Sequence, residues 1–246
     1  MMTRIVIFGA TSAIAQAAAR QWAAAGGACF VLVGRNETAL GDIAADLTAR
    51  GAEDVIAKPA DLAVLDGLSR LCAEAEEALG GIDIALIAHG VLPDQVEVTA
   101  SADNLLENLG VNALSPAALM VEFGRLMKDR GHGSLVVISS VAGDRGRPSN
   151  WAYGGAKAML SVMGEGMGLE LDSAGVNVVV VKPGFVDTPM TADFPKGPLW
   201  ASADQVAGAI VRAVGKRRNG VIYAPAWWRF VMLIVRFAPA FIVRRL

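Results

Sequence analysis

Short, almost wholly apolar runs recur along this chain, each followed by a stretch long enough for a helix, and few folds accept that alternation. The runs are Ile5–Phe8, Cys29–Val33, Val55–Pro59, Ile82–Ala88, Ser134–Ser139, Val176–Val181 and Val221–Ala224. Between them lie alanine- and leucine-rich segments of helical period: Ile14–Ala25, Glu37–Arg50, Val64–Leu79, Ala102–Arg130 (as two helices or one broken one), Trp151–Ser173 and Ala203–Val214. Strands that are apolar on both faces need cover on both faces, which a parallel sheet flanked by helices provides. Right-handed crossovers then give an α/β, doubly wound sheet of about seven parallel strands. One compact domain over residues 1–224 suits a chain of 246 residues, and neither a repeat nor a linker precedes residue 225.

Charge is unevenly spread along that domain and its extension, residues 225–246. The formal net charge is only −2, yet Met1–Asp204 carries 24 acidic against 14 basic residues, while Gln205–Leu246 carries eight basic and no acidic ones. Such a tail suits an anionic surface or ligand, or else neutralisation by the acidic body. Its sequence holds the Trp227-Trp228 pair, with Arg229 and Arg236 seven residues apart beside a wide apolar face. On an amphipathic helix this pattern fits either the membrane interface or packing against the body or a second subunit. Arg236 and Pro239 interrupt the apolar run, which argues against a full span. Cys29 and Cys72 are too few and too far apart for a disulfide framework or a metal site, so free buried thiols in the cytoplasm are expected. The apolar run after Arg4 is too short for a signal peptide and reads as a strand.

Chemistry is concentrated where strands give way to helices. Gly9-Ala10-Thr11-Ser12-Ala13-Ile14-Ala15 follows the first strand, and its small residues let a pyrophosphate approach the backbone at a helix N-terminus. Arg35, at the end of the second strand, suits a ribose 2′-phosphate, where an acid would accept hydrogen bonds from a free hydroxyl. Tyr153 and Lys157 share one helix face, and Ser140 lies one strand-to-helix step before them, so both hydroxyls can converge at the carboxyl edge of the sheet. An adjacent ammonium would stabilise the phenolate that acid–base work requires. His89 and His132 have no partner at metal-ligand spacing and read as hydrogen-bonded or solvent-facing side chains.

Together these residues resemble the short-chain dehydrogenase/reductase family over nearly the whole chain up to Ala224. The glycine-rich turn matches Gly9 through Ala15, with Ala13 and Ala15 where the family usually has glycines, and Asp61-Leu62 sits where it holds the adenine. Ile87-Ala88-His89-Gly90 keeps only the last residue of the family's Asn-Asn-Ala-Gly. Asn112, Ser140, Tyr153 and Lys157 match the catalytic tetrad, and Pro183-Gly184-Phe185-Val186-Asp187-Thr188 matches the segment that holds the nicotinamide carboxamide through Val186 and Thr188. The resemblance implies a Rossmann domain and an oxidoreductase using NADP(H), favoured by Arg35, or NAD(H). It places Gly9, Thr11, Ser12, Ala13, Ile14, Arg35, Asp61, Leu62, Gly90, Pro183, Gly184, Val186 and Thr188, with Tyr153 and Lys157, on the cofactor. It also gives Tyr153 the proton, Ser140 the substrate oxygen, Lys157 the nicotinamide ribose and Asn112 a proton-relay water.

The tail, segment 88–95 and the Gly9–Ala15 turn together look like a branch of the family that reduces a decaprenylphosphoryl 2-keto sugar. A lipid-linked ketone is therefore the leading expectation, with peripheral contact on the inner face of the membrane. The alternatives are a soluble reductase of a small ketone, alcohol or 3-oxoacyl thioester whose tail serves assembly, and a protein that binds NADP(H) as a signal. A homo-oligomer is expected, and a nucleic-acid partner is not.

Overall fold

A computed structural model describes residues 2–244. The order along the chain is β1 (Thr3–Phe8), α1 (Ala13–Ala24), β2 (Ala28–Gly34), α2 (Glu37–Ala49), β3 (Asp54–Pro59), α3 (Leu68–Leu79), β4 (Ile84–Ile87), α4 (Gln95–Val98), α5 (Ala102–Leu109) and α6 (Ser115–Arg130). It continues with β5 (Gly133–Ile138), α7 (Trp151–Leu171), β6 (Val176–Pro183), β7 (Phe185–Asp187), β8 (Trp200–Ser202), α8 (Ala203–Gly215), β9 (Gly220–Ala224), α9 (Trp228–Phe237) and α10 (Ala240–Val243). Seven strands form one sheet in the order β3-β2-β1-β4-β5-β6-β9, every pairing parallel. Strand order reverses beside β1, so the carboxyl ends of β1 and β4 open the crevice where such sheets bind ligands.

Alternation along each strand divides the core in two. Ile5, Ile7, Phe30, Leu32 and Leu86 face α1, α2 and α8, while Val6, Phe8, Val31, Val33 and Ile87 face α3, α6 and α7. Phe8 meets Phe123 of α6 edge to face, with ring centroids 5.3 Å apart. Each such side chain, fully buried, contributes about 1.5–3 kcal/mol of transfer free energy.

Three differences from the sequence reading have local causes. Helix α3 begins at Leu68 rather than Val64, because Gly67 takes φ 85°, a left-handed conformation that a helix cannot run through. The segment 102–130 is broken by a π-turn at Gly110–Leu114. Pro116, in the first turn of α6, has no N–H to give the carbonyl four residues back, and the ladder changes register there. The short parallel pair β7–β8, joining Phe185–Asp187 to Trp200–Ser202, was not foreseen, since three residues carry no readable period.

The extension folds back on the domain; its last two residues, Arg245 and Leu246, lie outside the described residues. Trp228, Met232 and Val243 are buried. Trp228 stacks on Trp227 at 5.0 Å and meets Phe185 edge-on at 5.8 Å. Its indole lies so close to Gly184 that a Cβ there would stand 1.8 Å from Cε2. Phe230, Leu233, Ile234, Phe237 and Phe241 remain exposed on the other side of α9–α10. Trp228→Ala should therefore destabilise the domain by about 3–5 kcal/mol, read as a lower urea midpoint, whereas Phe237→Ala should leave the midpoint within error.

Candidate active site

Ser140 follows β5 directly, and its Oγ accepts a hydrogen bond from the Ala142 N–H at 3.1 Å, capping the one-turn 3-10 helix Val141–Asp144. Helix α7 lies against this turn at backbone contact distance. A Cβ on Gly154 would come 2.8 Å from the Ala142 carbonyl oxygen, and one on Gly143 would come 2.7 Å from the Ala158 nitrogen. Ser139 locks the two together: its hydroxyl donates to the Lys157 carbonyl at 2.8 Å and meets Ser161 Oγ at 2.9 Å. With the helix so fixed, the Tyr153 phenol is brought within interaction range of the Ser140 hydroxyl. Lys157 reaches back along the same face, and its Nζ donates to the Ile138 carbonyl at 3.2 Å and lies 5.7 Å from the Tyr153 ring centre.

Asn112 enters from the π-turn and is wholly buried. Its Oδ1 accepts from the Val91 N–H at 2.9 Å. Gly90 lies between it and the lysine, since a Cβ there would fall 2.8 Å from Asn112 Oδ1 and 3.4 Å from Lys157 Nζ. The structure thus brings Asn112, Ser140, Tyr153 and Lys157 to one place at the carboxyl ends of β4 and β5.

Burial governs the electrostatics. It pushes the Tyr153 phenol up to about 12, with the Ser140 hydrogen bond pulling the other way. It pulls the Lys157 ammonium down to about 8. The spacing of the two residues suggests a phenol eased downward by its neighbouring cation, but desolvation of both groups outweighs that attraction here. A phenol held protonated at neutral pH is equipped to donate a proton rather than to accept one. His89 is held neutral, its pKa lowered to about 3 by burial and then by Lys157, and its Nε2 lies 3.0 Å from Ser115 Oγ.

The residues expected on the cofactor line the same edge. Gly9 takes φ 84°, and a Cβ there would strike the His89 backbone nitrogen at 2.5 Å, so the β1 and β4 turns touch through it. Ser12 caps α1 without using its side chain on the helix. Thr11 gives its carbonyl to Gln16 Nε2 at 3.0 Å, while Ala13 and Ile14 open the helix. Arg35 stands exposed just past β2, and Asn36 caps α2 by accepting from Ala39 N at 3.0 Å. Asp61 Oδ1 accepts from Ala63 N at 3.0 Å, and Leu62 is buried beside it.

Pro183 ends β6, Gly184 bears Trp228, and Val186 is held in β7 opposite Ala201. The Thr188 hydroxyl lies 3.3 Å from that of Thr191, which donates to the Val186 carbonyl at 2.6 Å. A nicotinamide dinucleotide fits these residues. The Ser12 hydroxyl is free of the helix it caps, and Asn112 Nδ2 and His89 Nδ1 are buried without a protein partner. No group of three or more His, Cys, Asp or Glu able to hold a metal occurs among the described residues.

Three contributors went unread in the sequence. Gln95 Oε1 accepts from the Ala152 N–H at 3.3 Å, fixing the start of α7 one residue before Tyr153, and its Nε2 is buried without a partner. Ser139 was legible only as the end of a strand, and Trp228 only as part of the tail. Their contacts span long stretches of chain, and no short motif announces them.

Residues 3–198 match the family model described as short chain dehydrogenase. An uncharacterized oxidoreductase of Mycobacterium tuberculosis is 36% identical over 244 residues, 98% of this chain and 96% of its own length. One of Streptomyces coelicolor is 35% identical over 246 residues, covering 98% and 95%. The crystal structure of an actinorhodin polyketide ketoreductase variant with NADPH superposes with a TM-score of 0.80 at 20% identity, covering 92% of this chain and 97% of that one. The fold, the tetrad geometry and these matches agree, and the chain belongs to the short-chain dehydrogenase family as an NAD(P)-dependent oxidoreductase.

Proposed function

We propose that this chain is an NADP(H)-dependent reductase of the ketone of an amphipathic, lipid-linked substrate, reached from a membrane surface. The observation that carries the reading is the two-sided tail. Trp228 and Met232 seat α9 on the domain, while Phe230, Leu233, Ile234, Phe237 and Phe241 face outward beside Arg229, Arg236 and Arg244. Exposed aromatic and aliphatic side chains flanked by arginines suit the boundary between headgroups and acyl chains. No helix among the described residues is long and apolar enough to cross a membrane, so the contact is peripheral. The resemblance of segment 88–95 and the tail to the polyprenylphosphoryl keto-sugar reductases supports the same substrate class. A second exposed apolar strip, Val121 on α6 with Val162 and Leu169 on α7, is the proposed surface for self-association.

When bound, the nicotinamide supplies the hydride. Tyr153, protonated through burial, gives its proton to the carbonyl oxygen, and Ser140 donates a hydrogen bond to that oxygen as negative charge develops on it. Lys157, held by the Ile138 carbonyl, is placed to hold the nicotinamide ribose and to repay the proton. Asn112 fixes the Gly90–Val91 turn beneath it. Arg35 is exposed and makes no ion pair among the described residues, and it offers a forked donor to a 2′-phosphate.

Three experiments test the reading. Tyr153→Phe should lower kcat for ketone reduction by about 10²–10⁴-fold while leaving the NADPH Kd from fluorescence titration near the wild-type value; near-normal turnover would remove Tyr153 from the chemistry. Arg35→Asp should weaken NADPH far more than NADH, because it replaces a phosphate partner with a like charge; equal losses would show that Arg35 does not read the 2′-phosphate. Wild-type protein should pellet with anionic liposomes, less with neutral ones, and added salt should release only part of it. Phe230→Ser/Phe237→Ser should abolish pelleting without unseating Trp228, and indifference of the wild type to liposomes would refute the membrane contact.

A further inference from the structure

Strand β6 runs through Val178, Val179, Val180 and Val181 and then turns charged at Lys182, whose side chain is nonetheless only 8% exposed. Val178 and Val180 lie in the half of the core that meets α3, α6 and α7, and the alternation of a strand puts Lys182 on the same face. Its Nζ donates to Asp144 Oδ1 at 2.6 Å, and the Asp144 side chain is 6% exposed. The second carboxylate oxygen of Asp144 accepts from the Tyr223 hydroxyl at 2.7 Å. Tyr223 is the register partner of Lys182 on the neighbouring strand β9, and its ring centre lies 5.9 Å from the ammonium. Burial, and then the Asp144 carboxylate, raise the Tyr223 pKa, so the phenol stays protonated and keeps donating.

Stability alone does not account for such a group. Desolvating two charges offsets much of their attraction, and apolar residues of similar volume commonly fold as well in their place. What a buried ion pair adds is direction: it holds two particular segments at a fixed spacing. Here the two segments are the two sides of the reaction. Asp144 ends the turn that Ser140 caps. Lys182 immediately precedes Pro183 and Gly184, where the segment expected to hold the nicotinamide begins. The ladder between β5 and β6 runs as far as the Ser139 N–H, which donates to the Val181 carbonyl at 2.8 Å. Turn and segment then diverge, and Asp144 and Lys182 join them again.

We propose that Asp144, Lys182 and Tyr223 are positioning residues for ketone reduction, their buried network setting the spacing between the Ser140 turn and segment 183–188. Ser140 holds the carbonyl oxygen, and the hydride has to reach the carbon bonded to it, so this spacing decides how much of the bound complex is productive. A misplacement of about 1 Å between reacting groups can cost about 10²-fold in rate. The three side chains act through the two segments they join, which puts their effect on kcat rather than on binding. The inference rests on the reductase reading above.

Asp144→Leu/Lys182→Met/Tyr223→Phe removes both charges and both hydrogen bonds together, leaves no buried charge unpaired, and should keep the urea midpoint near the wild-type value. Its kcat with NADPH, measured on 2-decanone, cyclohexanone and acetoacetyl-CoA, should fall by at least about tenfold while KM and the NADPH Kd change little. The primary isotope effect with NADPH deuterated at the transferred position should rise, because the hydride step has become the slow one. Without cofactor, the amides of residues 184–188 should exchange with deuterium faster than in the wild type, while those of β1 and β2 exchange at the wild-type rate. Tyr223→Phe alone, which spares the ion pair, should move kcat and exchange the same way by a smaller factor, and it carries the test if the triple variant does not fold. Wild-type kcat in the folded variant, a loss confined to KM or to the NADPH Kd, or unchanged exchange at 184–188 overturns the inference. Failure of the wild type to reduce any ketone would instead refute the reductase reading, with the exchange measurement still judging the network.

Discussion

The contact on which the site depends is the seating of α7 against the turn after β5. Two glycines, Gly143 and Gly154, bring backbone within contact distance of backbone, where any β-carbon would force the helix away. Ser139 then ties the turn to the Lys157 carbonyl by a buried hydrogen bond, and Ser161 closes the group. Ser140 and Tyr153 come together because this seam fixes a turn and a helix that belong to different crossovers. An outward shift of the helix would draw Lys157 Nζ away from the Ile138 carbonyl, which it now meets at 3.2 Å. The rest of the sheet acts largely as the frame that holds β5 and β6 in register behind the seam.

Much of this was legible in the sequence because the fold buries its strands on both faces. All seven strands of the main sheet were readable as apolar runs, the five inner ones because no polar alternation obscured them and the partly buried edges β3 and β9 because each keeps a short β-branched stretch. Boundaries were harder where one residue decides the outcome, as Gly67 does for α3. The tetrad was legible because its spacing is local: Tyr153 and Lys157 share one helix face, and Ser140 lies one strand-to-helix step earlier. The pair β7–β8, the Gln95 contact to α7 and the Trp228 seat on Gly184 were not legible. Each joins short segments far apart in the chain, and which residues meet is decided by packing rather than by period.

Electrostatics shows the same division. Spacing reveals that an ammonium and a phenol are neighbours, and a cation beside a phenol lowers its pKa in water-like surroundings. It does not reveal the dielectric in which they meet. Lys157 is buried and Tyr153 partly so, and desolvation raises the phenol and lowers the ammonium, each toward its neutral form. That leaves a proton on Tyr153 at neutral pH, which matches the demand of reduction.

The tail completes the argument by being two-sided. Its inner face cannot be surrendered: Trp228 fills the space that glycine leaves at position 184, beside the segment expected to hold the nicotinamide, and stacks into the aromatic group with Phe185 and Trp227. A single helix fixed in that way has only one face to bury, and the domain has no further element to cover the other. Phe230, Leu233, Ile234 and Phe237 are therefore exposed together rather than singly, and it is on this grouping that the proposed outside contact rests. The proposed outer contact and the seat of Trp228 on Gly184 thus lie on opposite faces of one helix, α9.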